Sequence, residues 1–164
     1  MKAVLMSIRP QWCELIASGK KTIEVRKTRP KLETPFKVYI YCTKTGFVPG
    51  EKYGFKAWAS MGKVMGEFIC DGIADCRDLT FTPSCLTLEQ LRKYTDNHKG
   101  PVWGWHISNL KIYDKPKLLT DFTVRECLWH NIRNNGCIDA SGERCYDCRL
   151  KRPPQSWCYV EELP

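Results

Sequence analysis

The sequence predicts an α+β fold, a small mixed β-barrel with short helices covering its openings. Three observations lead there. The apolar residues fall into about six short β-forming runs and two or three short helical ones. Helical periodicity never persists long enough for a bundle, and the strands do not alternate regularly with helices as a parallel α/β sheet requires. The 164 residues suit one compact domain, 1–164, with a polar, Cys-rich C-terminal insertion at about 127–152 that has little to bury.

Residues 3–8 (AVLMSI) read as a strand too continuously apolar to face water on either side. Pro10 sits where a first helical residue tolerates it, and Trp12, Leu15 and Ile16 recur at helical spacing until Gly19 ends the helix. From Thr22 the pattern alternates, putting Ile23 and Val25 on one strand face and Thr22, Glu24 and Arg26 on the other. Residues 36–42 (FKVYIYC) are rich in β-formers, whereas 43–62 contain four glycines, Pro49 and several lysines and read as a long basic loop. Residues 63–73 form a strand pair or bent strand with Gly66 and Gly72 at bulges. Thr87 with Gln90 is a capping box, followed by the apolar stripe Leu88, Leu91 and Tyr94. Residues 102–113 are a strand broken near Ser108–Asn109, and 155–160 (QSWCYV) a closing strand.

Lys and Arg total 26 against 18 acids, a net charge of +8 that favours a polyanionic partner. No apolar run approaches the ~18 residues of a membrane span, and the opening MKAVLMSI meets Arg9 too soon for a secretory signal. A cytoplasmic, reducing setting is therefore expected, where clustered cysteines bind metal more often than they pair. Of ten cysteines, Cys13, Cys42, Cys70, Cys76 and Cys85 lie mostly inside apolar patterns and read as buried, inert thiols.

The stretch Gly19-Lys20-Lys21-Thr22-Ile23-Glu24-Val25-Arg26 concentrates the chemistry. Lys21 supplies a mobile point charge and Arg26 a planar fork suited to phosphate or a base edge. Glu24 can hold both in place or accept from an exocyclic amine. The competing reading is a solvated strand-face ion pair worth ~0–1 kcal/mol. Strict alternation places Lys21 with Ile23 and Val25, away from Glu24 and Arg26. Trp12, Trp103, Trp105, Trp157, Tyr41 and Tyr53 offer aromatic surface on which unstacked bases pack. His106, between apolar neighbours, reads as a satisfied barrel histidine, and Ser7 and Ser156 as hydroxyls lining a cleft.

The G-x-K-x-x-E-x-R pattern after a strand-to-helix segment, with WHISNLKIYDKP at 105–116 and RPPQSWCYVEE at 152–162, resembles the ASCH domain of the PUA-like β-barrels, in its small bacterial and phage form. The resemblance implies a cleft under the first helix that binds RNA or a nucleotide, with Ser7, Trp12, Lys21, Glu24, Arg26, Tyr41, Trp105 and Ser156 as its residues. It also implies an alternative, a hydrolase acting on RNA or a modified nucleoside; on chemical grounds alone, a Lys21–Glu24 pair in a partly buried cleft is suited to be its general acid–base pair. An amidohydrolase branch has a Lys, a Thr three residues later and a Glu before the second helix. Lys21 matches, but Glu24 holds the Thr position and Thr82-Pro83-Ser84 contains no acid. A ribonuclease branch uses Tyr, Lys and Ser, types present here as Tyr41, Lys21 and Ser156.

Cys145-x-x-Cys148 has the spacing that brings two thiolates to one tetrahedral Zn²⁺. Cys137 is the natural third ligand and Cys127 or His130 the fourth, so one structural Zn²⁺ is expected. The motive is physical, since so polar a stretch gains little from burial to offset its ordering entropy. A loop with reduced, idle cysteines is the alternative.

Overall fold

The structure, a computed structural model, describes residues 1–44, 55–76, 84–96, 98–124 and 148–164. Among these residues the chain forms eight strands and three helices. The order is β1 (Lys2–Ile8), α1 (Pro10–Ala17), β2 (Ile23–Arg26), β3 (Phe36–Cys42), α2 (Phe55–Ala59), β4 (Val64–Cys70), β5 (Ile73–Asp75), α3 (Leu88–Thr95), β6 (Trp103–His106), β7 (Ser108–Lys117) and β8 (Trp157–Glu161). No described helix is long and apolar enough to cross a membrane.

Two sheets result, of order β7-β4-β3-β1-β8 and β2-β6-β5. β1 and β3 run parallel, which demands a crossover between them, and α1 and β2 lie in that crossover. The unbroken apolar run of β1 has its reason here, because both faces of the large sheet are covered. Val4, Met6 and Ile8 join Val38, Ile40 and Cys42 in a core shared with α1, Trp105 and Ile107. Ala3, Leu5, Tyr39, Tyr41, Phe122 and Val160 form a second core on the opposite face. A third group (Ile23, Val25, Cys76 and Val102) packs the small sheet against Leu86 and Leu91.

The expected barrel is not closed among the described residues. β4 leads into β5 through Asp71 and Gly72, and β6 into β7 through Ile107, so the chain changes sheets at one corner. That corner is fastened by His106 N–H to Gly72 O and Ile107 N–H to Thr22 O, each 2.9 Å. Closure would require β8 to pair with β2, yet each ends its sheet's order. A side chain reaches between the two sheets there instead, with Arg26 Nη2 donating to Ser7 O at 2.7 Å.

Several boundaries differ from the sequence reading. The basic stretch 43–62 contains α2, whose Ala57 is fully buried. Residues 63–73 divide into β4, with register shifts between Val64 and Gly66 and between Glu67 and Ile69, and the start of β5. Gly72 lies in the turn between them, not at a bulge. β6 and β7 part at Ile107, and the irregularity expected near Ser108–Asn109 is present just beyond it, with Asn109 at φ +47° and a register shift after Ser108; the closing strand begins at Trp157. The capping box is present in both directions, Gln90 N–H to Thr87 Oγ1 at 3.1 Å and Thr87 N–H to Gln90 Oε1 at 3.0 Å. Val124 N–H donates to Cys148 O at 2.8 Å, joining the two described ends that flank 125–147.

Candidate functional site

Gly19, at φ +73°, ends α1 in the left-handed conformation that glycine tolerates best. The turn folds back, with Lys21 N–H donating to Leu15 O at 3.0 Å. Lys21 therefore precedes β2, and the strand's alternation does not govern it. Its Nζ lies 3.3 Å from Glu24 Oε2, donates to Ser84 O at 2.5 Å and sits 5.3 Å from the centre of the Trp12 ring. Glu24 Oε1 is 3.0 Å from Arg26 Nη2. With Lys21 2% and Glu24 6% exposed, the solvated ion pair is excluded. This is a buried chain of three charges, stable only while each member keeps its partners.

Cross-strand register sets what the charges face. Glu24 pairs with Trp105 and Arg26 with Trp103, so all four side chains lie on the inward face of the small sheet. Trp105 is fully buried, 5.8 Å from the rings of both Phe36 and Trp157. Its indole Nε1 and the Arg26 Nε are buried donors with no hydrogen-bond partner among the described residues. Such groups carry a desolvation cost of about 1–3 kcal/mol each until an acceptor reaches them. Within the triad, two cations face one carboxylate. The arrangement attracts an anion or an acceptor-rich edge.

The chain after β2 lies along the aromatic wall. The Arg29 guanidinium stacks 4.4 Å above Trp103, Trp157 Nε1 donates to Thr28 Oγ1 at 3.0 Å, and Lys31 N–H donates to Tyr159 Oη at 2.8 Å. The sequence reading did not single out Thr28, Arg29 or Ser84. Ser84 takes part through its carbonyl, which any residue supplies, while Arg29 continues the basic run of the motif.

The remaining expected residues divide. Ser7 contributes its carbonyl to Arg26, while its hydroxyl donates to Pro154 O at 2.7 Å. Ser156 lies in a bend before β8, where its carbonyl accepts from Ser7 N–H at 2.9 Å. Tyr41 belongs to the second core, across the large sheet from Trp105, and is not brought to the triad. His106 points outward, its Nδ1 2.5 Å from Asp71 Oδ1 and its side chain 51% exposed, so it is a surface histidine and not a barrel one. Tyr53, Cys127, His130, Cys137 and Cys145 lie outside the described residues, and Cys148 is buried. No three metal-binding side chains cluster among the described residues.

Cys13, Cys42, Cys70 and Cys76 are buried as expected, but Cys85 is half-exposed. Burial pushes the Cys70 thiol up to about 12 and Cys76 up to about 11. Burial also raises Cys13, whose hydrogen bond to Cys42 lowers the latter.

The family model of the ASCH domain matches residues 6–128. No curated protein sequence matches the chain. Among solved structures it is similar to the ASCH protein of Zymomonas mobilis, with a TM-score of 0.62 and 18% identity over 98% of this chain and 88% of that one. A serine-to-alanine variant of that protein gives 0.62 and 17%, covering 98% and 89%. A tyrosine-to-phenylalanine variant gives 0.56 and 19%, covering 73% and 77%. At such identities the likeness is one of fold.

Proposed function

The chain belongs to the ASCH-domain family, and on that footing we propose that it binds single-stranded RNA or a nucleotide in the cleft between β2, β6, β8 and α1. One observation carries the reading: Trp105 Nε1 and Arg26 Nε are buried donors without acceptors among the described residues, on the sheet face that also carries Glu24, the carboxylate shared by Lys21 and Arg26. Phosphate and base-carbonyl oxygens are the acceptors that RNA supplies. Trp12, Trp103 and Trp157, each partly exposed, add surface for unstacked bases. Glu24 acts as the spacer that fixes Lys21 and Arg26 against each other.

A binding role accords better with this geometry than the hydrolase alternative. Lys21 Nζ is already engaged by Glu24, the Ser84 carbonyl and the Trp12 face, which leaves it poorly placed to move a proton. Tyr41, needed for the ribonuclease set, lies across the sheet. The test is the affinity for single-stranded and duplex RNA of equal length at two salt concentrations. Single strands are expected to bind more tightly, and binding to weaken as salt rises because phosphate contacts release counterions. Equal, salt-insensitive binding of both, or none at low salt, overturns the proposal.

A further inference from the structure

Trp58 stands apart from the other described tryptophans. It lies on α2 with 61% of its surface exposed, while its neighbour Ala57 is fully buried in the main core. Ala57 therefore anchors the short helix and Trp58 is presented outward. The position has a basic setting. The turn after α2 carries Ser60 to Lys63, and its Gly62 N–H donates to Cys42 O at 2.8 Å, which brings the turn beside the end of β3. There the Lys44 side chain crosses Gly62 closely enough to occupy the space of a Cβ. Lys44 is exposed and Lys63 half-exposed. α2 also packs against α1, the helix whose Trp12 lies over Lys21. Packed helices stand about 8–10 Å apart, so the exposed indole is within a few nucleotides of the cleft.

We propose that Trp58, with Lys44 and Lys63, is a second stacking platform for single-stranded RNA whose chain continues out of the cleft across α1. This rests on the cleft reading and extends it from one bound nucleotide to a longer footprint. The chemistry is that of sequence-tolerant single-strand binding, an aromatic face for a base and flanking ammonium groups for its phosphates. Charge complementarity selects this occupant, because an apolar protein surface would leave the lysines facing nothing of opposite sign.

The test compares wild type, Trp58→Ala and Trp58→Phe with two probes, uridine monophosphate and a fluorescein-labelled 12-nucleotide oligouridylate. Stacking on one aromatic is worth about 1–3 kcal/mol, so Trp58→Ala should weaken the oligonucleotide about 5- to 150-fold and leave the mononucleotide unchanged. Trp58→Phe should recover most of the loss. If Trp58→Ala binds both probes as wild type does, the platform is refuted and the cleft stands. If it weakens both probes alike, Trp58 acts on the cleft itself and the platform is refuted. If wild type binds neither probe, both readings fall. If Trp58→Ala converts a dimer to a monomer in sedimentation, the surface belongs to a second copy of the chain and the proposal is overturned.

Discussion

Replacing Lys21 by alanine asks whether the motif is a built core feature or a surface decoration. The ammonium is 2% exposed and has three partners, Glu24 at 3.3 Å, the Ser84 carbonyl and the Trp12 ring. Removing one member of a buried charge set costs about 3–5 kcal/mol, because the group left behind stays desolvated. Glu24 keeps Arg26 at 3.0 Å, which puts the loss near the lower end, about 3 kcal/mol. In a chain of this size each kcal/mol moves Tm by about 2–4 °C, so the midpoint should fall by about 6–12 °C. Circular dichroism melts at neutral pH measure it. Lys21→Met, Glu24→Gln and the double variant complete a cycle whose coupling should reach about 1–3 kcal/mol. A shift below about 2 °C would refute the buried triad, for an exposed pair contributes only about 0–1 kcal/mol.

Four further outcomes are expected. Gly66→Ala should cost about 1–3 kcal/mol in the same melts, since its Cβ would meet the Lys111 carbonyl and Ile112 Cα, both backbone; an unchanged Tm contradicts this. In native labelling at pH 8, Cys85 should react well ahead of Cys70, which should hardly react at all because a thiol pushed up to about 12 is ionised in about one molecule in 10⁴; fast Cys70 labelling would show the burial to be wrong. The His106 imidazole beside Asp71 holds its carboxyl below the usual carboxylate range. A depressed carboxyl adds stability above the unfolded value of about 3.9, lost as pH falls through the folded one, and His106→Ala should raise the Asp71 value in an NMR titration. Protein purified without chelator should carry about one zinc through Cys127, Cys137, Cys145 and Cys148; under half an equivalent, with those thiols freely titratable, refutes the site.

Much of the charged cluster was legible because it rests on local rules. The Gly19 stop, the alternation that sends Glu24 and Arg26 to one face, and the Thr87 capping box all follow from spacing over a few residues. Three features needed the third dimension. Lys21 reaches Glu24 because the turn after α1 brings it back, which alternation inside a strand does not encode. Tyr41 shares a sheet face with Tyr39 by simple period, but both faces of that sheet are buried, so period alone does not tell which one meets Trp105 and the triad. α2 spans five residues, too few for a repeating apolar stripe, and glycine and lysine on either side mask it. That no barrel closes among the described residues is likewise a matter of long-range pairing, decided by which edges β8 and β2 present.

The most direct measurement of the central claim is the indole ¹⁵N–¹H resonance of Trp105, assigned by its loss in Trp105→Phe and followed while uridine monophosphate or single-stranded RNA is added. If the bound ligand supplies the acceptor that Trp105 Nε1 lacks among the described residues, that resonance should move downfield in step with binding, while the outward-facing Trp58 indole should respond to the longer RNA alone. Saturable binding that leaves the Trp105 resonance in place would put the ligand elsewhere on the molecule and contradict the account.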